Sequence, residues 1–129
     1  MFPQQTGCSC GCNAGPKIIF SCSGAADVGA LADQAARKLD RQGAGKMFCL
    51  AGVGGRVDNI LKSTQAAGNI LAIDGCAMDC ARKTLEAAGI LRVNHLRLTD
   101  LGFTKGDTEV DEASVGKVVS QARMFFSIR

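Results

Sequence analysis

The sequence predicts one α/β domain built on a parallel sheet, and three features point there. Short apolar runs rich in β-branched residues alternate with longer stretches whose apolar residues recur at helical spacing. Glycines fall where each of those stretches should stop. A chain of 129 residues at 47% hydrophobic composition is long enough for one sizeable core and too short for two ordinary domains.

Residues 1–16, with Pro3, Pro16 and the run Cys8-Ser9-Cys10-Gly11-Cys12, show no apolar period and read as a flexible cysteine-rich tail, leaving 17–129 as the domain. Lys17-Ile18-Ile19-Phe20-Ser21-Cys22 is expected to form a first strand, buried on both faces. From Ala25 to Leu39, the residues Val28, Leu31, Ala32, Ala35 and Leu39 make a helical stripe, and Gly43 follows as a stop. Lys46 to Leu50 reads as strand two, Gly52-Val53-Gly54-Gly55 as a turn, and Val57 to Ala67 as a helix closed by Gly68.

Asn69 to Asp74 reads as strand three and Cys76 to Ala88 as helix three, with Gly89 suited to a left-handed exit. Asn94 to Thr99 is strand four. The last helix opens on Thr108-Glu109-Val110-Asp111, which has the form of a capping box, and buries Val115, Val118, Val119, Ala122 and Phe126. One helix between successive strands is what right-handed parallel crossovers require. The expected fold is therefore a single-domain, Rossmann-like three-layer α/β/α arrangement with a four-stranded parallel sheet. Strand order 2-1-3-4 is preferred, because it creates a topological switch point beside strand one, where open α/β sheets bind ligands.

Composition narrows the function classes. No long apolar run and no charged-then-hydrophobic N-terminus is present, so a soluble cytoplasmic protein with no membrane partner is expected. The net charge of +3 is mild, its cations are dispersed over helices, and Trp and Tyr are absent, which argues against nucleic acid. Seven cysteines are many for a chain in a reducing compartment, and they favour metal binding or thiol chemistry over a disulfide scaffold.

Four cysteines fall where the scheme brings distant residues together. Cys22 ends strand one, Cys49 lies near the end of strand two, and Cys76 follows strand three. Neighbouring strands lie about 4.8 Å apart, so those ends share one edge within reach of one ion. Cys80 joins them from the predicted third helix, four residues and about one turn beyond Cys76. Cys76 at that helix's N-terminus, and Cys22 ahead of the first helix, are expected to have lowered thiol pKa values. Four thiolates in a tetrahedral array suit Zn2+, with an iron-sulfur cluster as the alternative. Simple core packing is the competing reading for Cys49.

The segments Phe20-Ser21-Cys22-Ser23-Gly24-Ala25-Ala26-Asp27, Cys49-Leu50-Ala51-Gly52-Val53-Gly54-Gly55 and Ile73-Asp74-Gly75-Cys76-Ala77-Met78-Asp79-Cys80 resemble the DGC domain family of zinc-binding proteins. The resemblance runs from about Lys17 through Leu98-Thr99-Asp100-Leu101-Gly102. It implies four chelating cysteines matching Cys22, Cys49, Cys76 and Cys80, and it leaves the activity open.

Other features carry narrower expectations. The tail thiols Cys8, Cys10 and Cys12 suit accessory capture of Zn or Cu(I). Gly54, Gly55 and Arg56 offer a place for a small anionic ligand, though no phosphate-loop or dinucleotide fingerprint is present. Asp74 and Asp100 follow strand ends and read as helix or turn caps, or as groups supporting the thiols. His95 is placed near the opposite edge and left out of the site. A thiol or metal-dependent enzyme, with redox, sulfur-carrying or nucleophilic cysteine chemistry on a small anionic substrate, is the alternative to a plain metal-binding protein. No Cys-x5-Arg loop begins at Cys22, because Val28 stands six residues on.

Overall fold

The structure is a computed structural model and describes residues 15–126, so the tail thiols lie outside the described residues. Strands β1 (Lys17–Ser21), β2 (Lys46–Met47), β3 (Asn69–Asp74) and β4 (Asn94–Arg97) form one parallel sheet in the order β2-β1-β3-β4. This is the order expected from the sequence. Among the described residues, five helices complete the fold: α1 (Asp27–Arg41), α2 (Leu50–Gly54), α3 (Asp58–Gln65), α4 (Cys80–Ala87) and α5 (Glu112–Arg123), with a 3-10 turn at Leu98–Leu101.

Alternation along the strands builds two cores. Ile19, Leu71, Ile73 and Leu96 point to the face covered by α1 and α5, where Leu31, Ala35, Leu39, Val118 and Ala122 meet them. Ile18, Phe20, Ile70 and Ala72 point the other way, onto Val53 of α2 and Ala81 and Leu85 of α4. Ile18, Ile19 and Phe20 are all fully buried, which is why β1 reads as an unbroken apolar run. Burying such a side chain contributes roughly 1.5–3 kcal/mol, so the central strands anchor the edge where the cysteines gather.

Three boundaries differ from expectation, each for a local reason. Strand β2 stops at Met47; Phe48 makes one more ladder bond, N–H to the Ile19 carbonyl at 2.9 Å, and the chain then turns into α2. Cys49 is thus the residue before a helix, and Gly52 and Gly54 lie inside that helix, not in a turn. A Cβ on Gly52 would require the Ile60 side chain of α3, which lies against it, to shift.

Helix α4 begins at Cys80, four residues later than the spacing suggests. Asp79 sits in the left-handed region (φ 54°, ψ 45°), which a helix cannot include, so residues 75–79 form a loop. Finally, the capping box of α5 is Asp111 with Ser114: Asp111 Oδ1 accepts the Ser114 N–H at 2.9 Å, and Ser114 Oγ accepts the Asp111 N–H at 3.0 Å. Thr108 serves the preceding loop instead, its hydroxyl donating to the Thr104 carbonyl at 2.6 Å.

Candidate functional site

Cys22 continues the β1 ladder for one residue, its N–H donating to the Ile73 carbonyl at 3.0 Å. Its half-buried sulfur accepts the Gly75 N–H at 3.4 Å, so a thiol after the first strand touches the loop after the third. That contact explains the glycine between Asp74 and Cys76. A Cβ on Gly75 would lie 2.7 Å from the Val28 backbone at the start of α1. Only a residue without a side chain lets this loop pass close enough to meet Cys22.

Burial pushes the Cys22 thiol above its ordinary pKa; N–H groups of Gly24 and Gly75 partly oppose this, while the charges of Asp74 and Cys80 reinforce it. The direction is opposite to that expected from the helix that follows. Desolvation outweighs the neighbouring N–H groups, and Cys22 does not directly precede a helix: α1 begins five residues later, at Asp27.

Cys49 is exposed at the N-terminus of α2, which removes the core-packing reading suggested by its apolar neighbours. It shares with Cys22 the wall of an open cleft of about 830 Å³, at the ends of β1 and β2. Ser21, Arg37, Arg41 and Phe48 also line it. Cys76 is half-buried in the loop after β3, where Lys105 Nζ donates to its sulfur at 3.7 Å. It therefore does not share a helical face with Cys80. Cys80 is exposed in the first turn of α4 and close enough to Cys22 to affect its ionisation.

Arg56 turns away from the cleft, its Nη2 donating to the Ala87 carbonyl at the end of α4 (3.3 Å). The N–H groups of Gly55 and Arg56 are also taken, by the carbonyls of Ala51 and Val53. Gly54 alone of that trio lines the cleft.

Beneath the first turn of α4 lies a second group that sequence reasoning missed. Among the described residues, Asp74, Asp79 and His95 form the one trio of His, Cys, Asp or Glu whose ligand atoms all lie within 4.8 Å of one another. The four cysteine sulfurs share the edge without closing to that spacing. His95 joins because β4 is offset: its first residue, Asn94, pairs with Leu71, the third of β3, so His95 lies beside Ala72 and faces the same way as Asp74. No register is readable from sequence, but the alternation His95, Leu96, Arg97, Leu98 was a signal that both polar residues share a face.

These groups already satisfy one another. Buried Asp74 accepts the N–H groups of Ala81 (2.7 Å) and Arg82 (3.1 Å), capping α4 from the strand, and lies 2.9 Å from His95 Nε2. Asp79 takes a two-pronged bond from Arg97, Nε at 2.9 Å and Nη2 at 2.6 Å, and its carboxyl is held below the usual range by that guanidinium. Arg97 is raised in return and also reaches exposed Asp100 at 3.3 Å. A cation bound here would have to displace the guanidinium.

The DGC domain family model matches residues 18–122. A curated relative, the "Anaerobic and virulence modulator AnvM" of Pseudomonas aeruginosa, is 35% identical over 96 residues, covering 74% of this chain and 73% of that protein. No solved structure matches the chain. Among the described residues, no helix is long and apolar enough to cross a membrane.

Proposed function

This chain belongs to the DGC domain family, and from that premise we propose that it is a soft-metal binding protein holding Zn2+ through Cys22, Cys49, Cys76 and Cys80. The observation that carries the reading is the meeting of the connections after β1 and β3 at the Cys22–Gly75 contact, with Cys49 on the same cleft and Cys80 beside it.

The donor set fits the metal: four thiols are the set of a closed, tetrahedral zinc site, and of the nearby hard ligands Asp74 and Asp79 are already bonded to the protein. N–H groups of Gly24 and Gly75 directed at the Cys22 sulfur are the usual support for a metal thiolate. A thiol whose burial resists ionisation is suited to a partner that supplies positive charge and less suited to act as a free nucleophile. Loading requires the sulfurs to draw together, and Cys49 and Cys80 are the exposed pair among them. An iron-sulfur cluster uses the same donors and is the alternative cofactor.

The Asp74–Asp79–His95–Arg97 network supports this site by fixing the start of α4 and the loop that carries Cys76. A second reading, a thiol or metal-dependent enzyme acting on a small anionic substrate, draws on the cleft itself, which Cys22 and Cys49 line together with Asp40, Arg41 and Arg37, the last paired to Asp33 at 2.8 Å.

Metal analysis and thiol titration of anaerobically purified protein test the proposal. About one zinc per chain, lost on Cys→Ser change at each of positions 22, 49, 76 and 80, is the expected result. A metal-free protein with four freely titrating core thiols would overturn it and promote the thiol-enzyme reading.

A further inference from the structure

We infer that the loop from Gly102 to Thr108 is a charged clamp on the thiol site, with Lys105 as the positioning residue that brings a cation to Cys76; this rests on the thiol-site reading above. Lys105 Nζ stands 3.7 Å from Cys76 Sγ and 3.9 Å from Met78 Sδ, bridging twenty-nine and twenty-seven positions of sequence. Two turns aim it there. Gly102 and Gly106 have φ of 97° and 90°, values that side-chain-bearing residues rarely adopt, so the chain bends sharply on either side of Lys105.

The loop is anchored as well as bent. Asp27, in the first turn of α1, accepts the N–H groups of Gly106 and Thr108, each at 2.9 Å. Thr104 and Thr108 close the loop on themselves, Thr104 N–H donating to Thr108 Oγ1 at 3.1 Å and the Thr108 hydroxyl returning to the Thr104 carbonyl. A carboxylate from α1 thus holds a loop between β4 and α5 against the connection between β3 and α4.

The chemistry of the site gives that cation a purpose. Four thiolates around a divalent ion leave a net double negative charge, and Asp74 beside Cys22 adds to it, while Asp79 is paired with Arg97 and Asp27 is bonded to the loop backbone. Lys105 offsets part of the excess at Cys76 and draws negatively charged reagents to that sulfur ahead of neutral ones.

The test compares, on metal-free full-length protein, the rates at which Cys76 is alkylated by iodoacetate and by iodoacetamide, read on the Cys76 peptide by mass spectrometry. Both reagents attack the same thiolate, so their ratio reports local charge with ionisation cancelled. Lys105→Gln is expected to lower the iodoacetate preference about two- to fivefold, the range of a single exposed ion pair, and to weaken zinc affinity in chelator competition by a similar factor. Lys105→Arg should retain both, and Asp27→Asn, which releases the loop, should lower both. An unchanged ratio or zinc affinity in Lys105→Gln, or failure of Lys105→Arg to retain them, overturns the clamp. A wild-type protein that takes up no metal overturns the thiol-site reading, while the alkylation ratio still judges the clamp.

Discussion

Two groups of ligand-type side chains share the carboxyl edge of this sheet, and they differ in how completely the protein satisfies them. Asp74, Asp79 and His95 are close together and mostly buried, and the two carboxylates are engaged by Arg97, His95 and the first turn of α4. Cys22, Cys49, Cys76 and Cys80 are more spread, two of them exposed, and their contacts are the N–H groups of Gly24 and Gly75 at Cys22 and a lysine at Cys76. Proximity alone would favour the first group as a metal site; saturation favours the second. Asp74 already accepts two helix N–H groups and Asp79 a guanidinium, which is the pattern of structural carboxylates, whereas the four thiols at the junction of three connections carry fewer partners.

The comparison breaks first at Asp74. Asp74→Ala leaves the buried N–H of Ala81 and the part-buried N–H of Arg82 unpaired and takes from His95 its shorter carboxylate contact, and a stability loss of about 2–4 kcal/mol is expected by urea unfolding. A variant that unfolds like the wild type would mean the network is not structural. Gly75→Ala comes next. Its Cβ collides with the Val28 backbone, which cannot yield cheaply, so roughly 1–3 kcal/mol should be lost together with metal uptake, because the loop carrying Cys76 is displaced from Cys22.

Acid sharpens the contrast. The Asp79 carboxyl is held below its unfolded value, so its contribution is fully present above the unfolded pKa of about 3.9 and is lost as pH falls through the lower folded value. Arg97→Gln should weaken the protein at neutral pH and flatten this acid limb; an unchanged stability profile between pH 5 and pH 2 would contradict the assignment. The smallest effect belongs to the thiols themselves. Cys49→Ser and Cys80→Ser in metal-free protein should stay within about 0.5 kcal/mol of wild type, as exposed substitutions do, while abolishing metal uptake.

What was legible in the sequence follows the same division. Periodicity exposed β1, β3 and α1 because their apolar residues are buried in regular alternation, and the crossover lengths made the sheet parallel; the strand order was a preference for the topological switch point it creates beside strand one, and the sheet has that order. The edge carrying the four cysteines was legible for that reason. The start of α4 was hidden because it depends on the left-handed turn at Asp79, beside its bond from Arg97, eighteen residues away in sequence. His95 was hidden because strand register is a tertiary property: a four-residue β4 beginning opposite Leu71 brings it to the carboxyl half of the sheet. Cys49 was misread as a strand residue because the run Lys46 to Leu50 is apolar for two reasons at once, a two-residue edge strand and then the start of a helix.

X-ray absorption at the zinc edge of the loaded protein separates the two groups most directly, because the ligand shell reports its own chemistry. Four sulfur neighbours at about 2.3 Å are the predicted result. A shell of nitrogen and oxygen at about 2.0–2.2 Å would instead assign the metal to Asp74, Asp79 and His95 and contradict the account.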